Sequence, residues 1–179
     1  MYSRVKIAGH PVHPMLVGFP VTLYTVTLAC FAASALGAEP FWFRVGVYAN
    51  VAGVITALVA AVPGFLDWAL GVPAGSPAKA TGRAHMLLNV AALAVFAANA
   101  YLHWDERHAP LPAAALPLAL AAVGVCLTIA AGFLGWKMVQ THHVGIELSP
   151  EQQRLEPGAT PPAQRGGPLS EARHGPRGG

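Results

Sequence analysis

Charged side chains are scarce in this sequence: Asp, Glu, Lys and Arg make up 11% of its 179 residues, whereas hydrophobic residues make up 54%. A soluble globular domain contains roughly 25% charged residues, so this composition excludes an ordinary water-soluble domain. Cysteine is nearly absent as well, since Cys30 and Cys126 are the two that occur. Because no CxxC or CxxCH motif is present, the sequence suggests neither a thiol redox pair nor covalently attached haem.

The shortage of charge is concentrated in four long stretches without any charged residue. They cover residues 16–36, 45–66, 84–104 and 109–136. A helix that crosses a membrane needs about 20 mainly apolar residues. The sequence therefore predicts an all-α, polytopic membrane protein with a four-helix transmembrane bundle in residues 15–147. The predicted spans are about 15–36, 45–68, 83–104 and 112–137.

Two segments lie outside the predicted bundle. Residues 1–14 form an N-terminal segment that ends in the motif His10-Pro11-Val12-His13-Pro14. Residues 148–179 are rich in Pro, Gly, Gln, Arg and Glu and have few apolar side chains to bury. Because so little burial cannot offset the entropy lost on ordering, this tail is predicted to be disordered.

Cationic residues are distributed unevenly around the predicted spans. The side on which the chain begins carries Arg4, Lys6, Lys79, Arg83, Lys137 and Arg154. The other side carries Arg44 and Arg107. Because cations favour the cytoplasmic side, both termini are predicted to be cytoplasmic, with the lipid bilayer as the main partner. Basic and aromatic residues do not interleave as they do in RNA- or DNA-binding proteins, so nucleic acid is not an expected partner.

A short internal repeat predicts that the bundle consists of two tandem helical hairpins. The motif GFLDW closes helix two at residues 64–68, and GFLGW closes helix four at residues 132–136. Each follows a histidine at the start of the preceding helix, His13 or His85, by about 50 residues. Two such copies in the same orientation are related by an axis along the membrane normal. This alignment equates Gly64 with Gly132 and Asp67 with Gly135.

A polar stripe follows one face of helix three. Positions four and three apart, which share a helical face, are His85, Asn89, Ala92, Phe96, Asn99 and His103. Because polar groups are costly in hydrocarbon, this face is expected to point into the bundle or a cavity. Asn99 and His103 are candidates for a polar path. Interhelical hydrogen bonding is the structural alternative.

The predicted topology gathers potential ligands at the end of the bundle where the chain begins. These candidate metal ligands are His10, His13, Asp67 and His85. Imidazole and carboxylate groups suit zinc, iron, copper or nickel. A b-type haem, which takes two axial ligands, would use His13 and His85, with His10 as the alternative.

Other residues near this end are expected to orient the ligands. Asn89 lies one helical turn from His85, and His143 lies just beyond helix four. Asp67 stands at the C-terminal end of helix two, where a carboxylate opposes the helix dipole. We therefore expect His13 or His85 to compensate it, although a solvated helix-end carboxylate is the simpler alternative.

The two prolines of the HPVHP motif restrict both of its histidines. A proline disfavours helical geometry in the residue before it, so helix one is predicted to begin at Pro14. In a polyproline conformation the two histidines would lie about 9 Å apart, too far to share an ion easily. In a β-turn their Cα atoms would approach within about 7 Å, and joint coordination becomes possible. A rigid entry to helix one is the structural alternative.

The combination of motifs resembles a bacterial family of predicted four-helix inner-membrane proteins of unknown function. The resemblance covers residues 8–146 and rests on HPVHP followed by Leu16 and Phe19-Pro20, on Gly64–Trp68, and on His85 with Asn89. It implies a four-helix domain in the inner, or plasma, membrane. Some relatives occur alongside Rieske-type iron–sulfur domains, which implies redox work. This chain, with two cysteines in predicted spans, lacks such a domain.

Three functional hypotheses follow from these observations. The leading one is a membrane subunit that binds a transition-metal ion or haem b at the histidine end and works with a redox partner. The second is a component that transports protons or a small solute along the His85–His103 face. The third is a non-catalytic scaffold subunit. No arrangement of catalytic residues is recognisable, so an enzyme is the less expected class, and a homo-oligomer stays open.

Overall fold

The computed structural model of the protein describes residues 3–37, 39–110, 112–146 and 149–155. Helices account for most of these residues, and one small hairpin precedes them. In chain order the elements are β1 (Lys6–Ile7), β2 (His10–Pro11), α1 (Val12–Leu16), α2 (Gly18–Ala35), α3 (Pro40–Gly71), α4 (Pro77–His103), a 3₁₀ turn (Asp105–His108), α5 (Ala115–Gln140) and α6 (Pro150–Leu155).

Four helical segments are long and apolar enough to cross a membrane, which confirms the predicted all-α, four-span class. They are Val12–Ala35, Pro40–Gly71, Pro77–His103 and Ala115–Gln140. Two of them begin earlier than predicted, α3 at Pro40 instead of residue 45 and α4 at Pro77 instead of residue 83. Proline suits the first turn of a helix. The side chain of Ser76 caps α4 by accepting the Lys79 N–H at 3.1 Å.

The long helices form two hairpins that pack side by side. Helix α2 packs on α3, and α4 packs on α5; contacts of α2 with α5 and of α3 with α4 close the bundle. The buried centre includes Tyr24, Phe31, Phe43, Val47 and Phe96. Large apolar side chains also cover the outside, such as Ile55, Leu87, Ile129 and Phe133. Helices that are apolar all round suit a lipid environment.

The two hairpins are repeats, and two aromatic rings mark the axis between them. The ring of Tyr24 lies against Gly53, and the ring of Phe96 lies against Gly124. Tyr24 and Phe96, 72 positions apart, stack face to face with ring centroids 3.6 Å apart and planes 4° from parallel. Gly53 and Gly124 are 71 positions apart. The predicted pair of tandem hairpins is confirmed by this correspondence.

The register of the repeat differs from the one that the GFLDW and GFLGW motifs predicted. Gly64 and Gly135 each lie against a histidine ring, whereas a Cβ placed at Gly132 would have no atom within 4 Å. Gly64 therefore corresponds to Gly135, three residues beyond Gly132. The motif alignment was wrong because it matched Phe65 with Phe133, which are both more than half exposed. Side chains on the outer surface do not fix the register; the glycines under the central rings do.

The entry to the first span also differs from the prediction. Helix α1 begins at Val12, so His13 lies in its first turn, and the prediction that proline keeps His13 out of a helix was wrong. Pro11 precedes it in an extended conformation, with φ −62° and ψ 127°. Pro14 is tolerated because first-turn N–H groups have no partner within the helix. The helix is interrupted at Val17 before α2 begins.

Before α1 the chain makes a tight β-hairpin that holds His10. Ile7 pairs with His10 across a two-residue turn, Ala8-Gly9. Both turn residues have positive φ, 49° and 81°, as a type I′ turn requires. The hairpin reverses the chain directly before the first span.

The described residues separate into two units at Gly145. In the second, Pro150–Leu155 form the short helix α6 within a tail for which no fold was predicted. The hydroxyl of Ser149 accepts the Gln152 N–H at 3.1 Å, which caps this helix. The remainder of the predicted disordered tail, residues 156–179, lies outside the described residues.

Candidate functional site

Two histidine rings meet at one end of the bundle. His13 lies in the first turn of α1, and His85 lies in α4, 72 positions later and at the equivalent place in the repeat. Their ring centroids are 6.5 Å apart, and the ring planes are nearly perpendicular at 87°. Both side chains are half-buried. The symmetry of the two hairpins therefore places one imidazole from each beside the other.

Two equivalent hydrogen bonds, one for each ring, orient the histidines. Nδ1 of His13 lies 2.8 Å from the carbonyl oxygen of Ala60, and Nδ1 of His85 lies 2.7 Å from that of Ala131. A carbonyl oxygen can only accept, so Nδ1 of each ring carries the hydrogen and donates it. In the neutral ring Nε2 then holds the lone pair. Each imidazole is thus set in the tautomer whose Nε2 can bind a metal or a proton.

Glycine makes each carbonyl accessible to its histidine. Helical side chains lean toward the N-terminus, so the residue four positions after a carbonyl normally covers it. That residue is Gly64 for Ala60 and Gly135 for Ala131. A Cβ at Gly64 would lie 2.7 Å from Nδ1 of His13, and one at Gly135 would lie 3.1 Å from Cε1 of His85. Each ring can therefore occupy its position only because the residue beside it, Gly64 or Gly135, is a glycine and has no Cβ.

Asn89 contacts only one of the two rings. Its Nδ2 lies 3.2 Å from Nε2 of His85 and 2.9 Å from the carbonyl oxygen of the same residue. The amide can therefore donate one hydrogen to each, which supports the same His85 tautomer. Val17 stands at the equivalent position of the first repeat and has no such donor. Within the described ranges, no hydrogen bond reaches Nε2 of His13.

Asp67 binds the N-terminal segment rather than a histidine. Its Oδ2 accepts the Ser3 hydroxyl at 2.7 Å, and its Oδ1 accepts the backbone N–H groups of Arg4 at 2.6 Å and Val5 at 2.9 Å. Three donors thus compensate the carboxylate at the end of α3. The expectation that His13 or His85 would do so was wrong, because the hairpin brings the start of the chain back to this helix.

The remaining candidate ligands make separate contacts. His10 is exposed, and its Nδ1 donates to the carbonyl oxygen of Ala8 at 2.9 Å. His143 is exposed with φ 51° and follows the end of α5. Its neighbour His142 lies closer to the bundle, with Nε2 3.1 Å from the Thr81 hydroxyl. In the part of the chain that the structure describes, no three His, Cys, Asp or Glu side chains are arranged to hold a metal ion.

The polar stripe on α4 is divided in its middle. His103 and Asn99 are buried at the far end, where His103 Nδ1 donates to the Asn99 carbonyl oxygen at 2.9 Å and Asn99 Nδ2 donates to that of Pro117 at 3.0 Å. Phe96, fully buried and stacked on Tyr24, separates this pair from His85. The stripe therefore consists of two polar patches with an aromatic layer between them.

Sequence reasoning missed two polar residues whose side chains have no exposed surface, Thr27 of α2 and Asn50 of α3. Asn50 is the more informative of the two. It is the one amide in a stretch of 22 uncharged residues, 45–66. That isolation was a usable signal, since polar residues inside a span normally face the interior.

Fold and site together define a polytopic four-helix membrane protein built from two hairpins, with paired histidines at one end. The chain belongs to the family described as predicted membrane protein DUF2231, whose model matches residues 9–148 and whose function is unknown. This confirms the predicted resemblance. No curated protein and no solved structure matches the chain.

Proposed function

We propose that the protein is a membrane subunit that binds a transition-metal ion between His13 and His85. The proposal is carried by one observation: two imidazoles, 6.5 Å apart, both donate Nδ1–H to a backbone carbonyl. Histidines that bind metals almost always donate their second ring nitrogen in this way, which fixes the tautomer and makes the ligating nitrogen more basic.

The distance between the rings suits one shared ion. A metal–imidazole bond is about 2.0–2.1 Å long, and the ring radius adds roughly 1.2 Å, so two ring centroids on one ion are about 5–6.5 Å apart. The separation of 6.5 Å reaches this range only where the two nitrogens stand on opposite sides of the ion. Binding would therefore require both Nε2 atoms to face one ion, and Nε2 of His85 to exchange its contact with Asn89 Nδ2, now 3.2 Å long, for the metal.

The number of ligands favours an ion with open positions. A structural zinc site uses four protein ligands, whereas this pair offers two, with Asn89 beside one of them. Copper or iron with two imidazoles keeps positions for water, an external ligand or a partner protein. A redox-linked subunit is the role that we propose on this basis.

A bare ion fits the pair better than haem does. Haem iron held by two histidines requires the rings to stand on opposite faces of a flat macrocycle. Here each ring is packed on a glycine, at Gly64 and Gly135, and the rings contact each other edge to face. The apolar groove nearby, about 440 Å³ between the N-terminal hairpin and α3, includes neither histidine in its lining.

The aromatic layer weighs against the transport alternative. A path for protons or solute along α4 would have to pass the stacked rings of Tyr24 and Phe96, which are 4% and 0% exposed. Among the described residues, the face of α4 therefore carries two polar patches that the aromatic layer separates.

Binding is tested on the full chain, purified in detergent through a tag that contains no histidine and then loaded with Cu²⁺. Elemental analysis after removal of excess metal should give about one tightly bound copper per chain. His13→Asn and His85→Asn should each abolish this tight binding. Asparagine can still donate a hydrogen near the Nδ1 position, but it lacks Nε2. His108→Asn is the matched control, since His108 is exposed in the turn at the other end.

Three outcomes would contradict the proposal. Wild-type protein without tightly bound metal would end it. Retention of the metal by both asparagine variants would place the ion elsewhere. A Soret band in the absorption spectrum of the purified protein would show that the protein binds haem and not a bare ion. Loss of a co-purifying partner in the variants, with no metal in any sample, would favour the scaffold alternative.

A further inference from the structure

Three polar side chains without any exposed surface lie on three different helices of the bundle. They are Thr27 of α2, Asn50 of α3 and Asn99 of α4. None of them belongs to the histidine pair. Buried polar groups in a membrane protein must find partners inside the protein, because hydrocarbon offers none.

The helix contacts place Asn50 at the level of Thr27. On α3, Gly53 lies against the ring of Tyr24, and Gly46 lies against the ring of Phe31. Asn50 stands between these two glycines, about one turn from each and on the same side of the helix. Its level along α2 is therefore midway between Tyr24 and Phe31, where Thr27 lies.

Asn99 belongs to the same layer. It follows Phe96 by three residues on α4, and Phe96 stacks on Tyr24. Asn99 also corresponds to Thr27 in the repeat, since the two are 72 positions apart. All three residues thus lie about one helical turn beyond the stacked rings, toward the end that carries His103.

Three side-chain atoms in this layer make no hydrogen bond to the described residues. Neither Oδ1 nor Nδ2 of Asn50, nor Oδ1 of Asn99, has a hydrogen-bond partner among the described residues. The Thr27 hydroxyl donates to the Leu23 carbonyl oxygen at 2.8 Å and can still accept. A buried amide with no partner is strongly unfavourable, so these groups need a partner that the described residues do not supply.

We propose that an ordered water molecule bridges Asn50 and Asn99 in this layer. The unpartnered atoms of Asn50 include a donor and an acceptor. A cation would leave Nδ2 without a partner, and an anion would leave Oδ1 without one. Water satisfies both, and buried waters typically make about three hydrogen bonds to such groups. The second repeat carries the fully buried Ala121 at the position of Asn50, so the site is formed once per chain.

Hydration of Asn50 is first measured on the wild-type protein, so this result does not require a variant to fold. In protein labelled with ¹⁵N-asparagine and held in detergent, the Nδ2 protons of Asn50 should show cross-relaxation with water. Asn99→Leu should remove this signal, whereas Asn89→Leu should leave it unchanged. Absence of the signal in the wild type, or its persistence in Asn99→Leu, would overturn the proposal.

A double-mutant cycle tests the bridge independently. If one water joins the two amides, Asn50→Leu and Asn99→Leu are coupled, and the double variant should lower Tm by no more than the worse single variant. Asn50→Leu combined with Asn89→Leu is the control pair, and its Tm losses should add. Additive losses for Asn50 and Asn99 would contradict a shared water.

Discussion

His13 and His85 are 72 residues apart in the sequence, and their rings meet edge to face with centroids 6.5 Å apart. Each ring donates its Nδ1–H to a carbonyl oxygen in the last third of its hairpin partner helix. The pair is therefore a product of the internal repeat. Each hairpin supplies a histidine in the N-terminal part of its first helix and a carbonyl with a glycine four residues later on its second.

Alanine at the two glycines under the histidines should destabilise the bundle. A Cβ at Gly64 would lie 2.7 Å from its ring, and one at Gly135 would lie 3.1 Å from its ring, so Gly64→Ala should cost more. Overpacking of this kind costs about 1–3 kcal/mol in free energy of unfolding. The measurement is thermal or denaturant unfolding in detergent.

Gly132→Ala is the matched control for these variants. A Cβ at Gly132 meets no atom within 4 Å, and alanine favours a helix over glycine by about 1 kcal/mol. This variant should be neutral or slightly stabilised. Greater destabilisation at Gly132 than at Gly135 would restore the register of the GFLDW and GFLGW motifs and contradict the one described above.

Removal of the central aromatic stack should weaken the contact between the hairpins. Phe96 is fully buried against Tyr24, so Phe96→Ala should lower the free energy of unfolding by about 3–5 kcal/mol. Tyr24→Phe keeps both rings of the stack, so it should destabilise the protein much less than Phe96→Ala does. A greater loss for Tyr24→Phe than for Phe96→Ala would contradict the proposed role of the stack.

Asp67→Ala should release the N-terminal hairpin while the spans stay folded. The substitution removes three hydrogen bonds to the carboxylate, with donors on Ser3, Arg4 and Val5. Hydrogen bonds to charged groups contribute about 1.5–3 kcal/mol each at most. Hydrogen–deuterium exchange should therefore accelerate at residues 4 and 5 and stay slow in α3. Glu39→Gln, which changes a carboxylate at the other end of α3, should leave exchange at these residues unaltered.

Both termini are expected on the cytoplasmic side of the inner membrane. Four spans return the chain to the side where it began, and Lys6, Lys79 and Lys137 flank that side. Reporter fusions at either terminus should read as cytoplasmic, and a fusion within residues 105–110 should read as external. The reverse pattern would show that the bias of cations does not set this topology.

Much of the fold was predictable because the membrane imposes it. Charge-free runs of sufficient length predict the spans, and an even number of spans brings His13 and His85 to one end. The histidine pair could thus be named from the sequence. Its geometry could not, because the accepting carbonyls of Ala60 and Ala131 carry no sequence signal of their own.

The incorrect expectations have one physical origin: each concerns a feature that depends on tertiary packing and not on local sequence pattern. The partner of Asp67 depends on the Ala8-Gly9 turn, which folds residues 3–5 back onto α3. The register of the repeat was misread from aromatic residues on the outer surface. Asn50 was overlooked although it is the one amide in its uncharged stretch, and its lack of a partner among the described residues is visible only in the packed bundle.

The proposed shared ion is tested most directly by electron paramagnetic resonance of the Cu²⁺-loaded protein. The wild type should show nitrogen hyperfine coupling from two imidazoles, and His13→Asn and His85→Asn should each lose the copper signal. His108→Asn should give the wild-type spectrum. Identical spectra for the wild type and both asparagine variants would show that His13 and His85 do not bind the metal together.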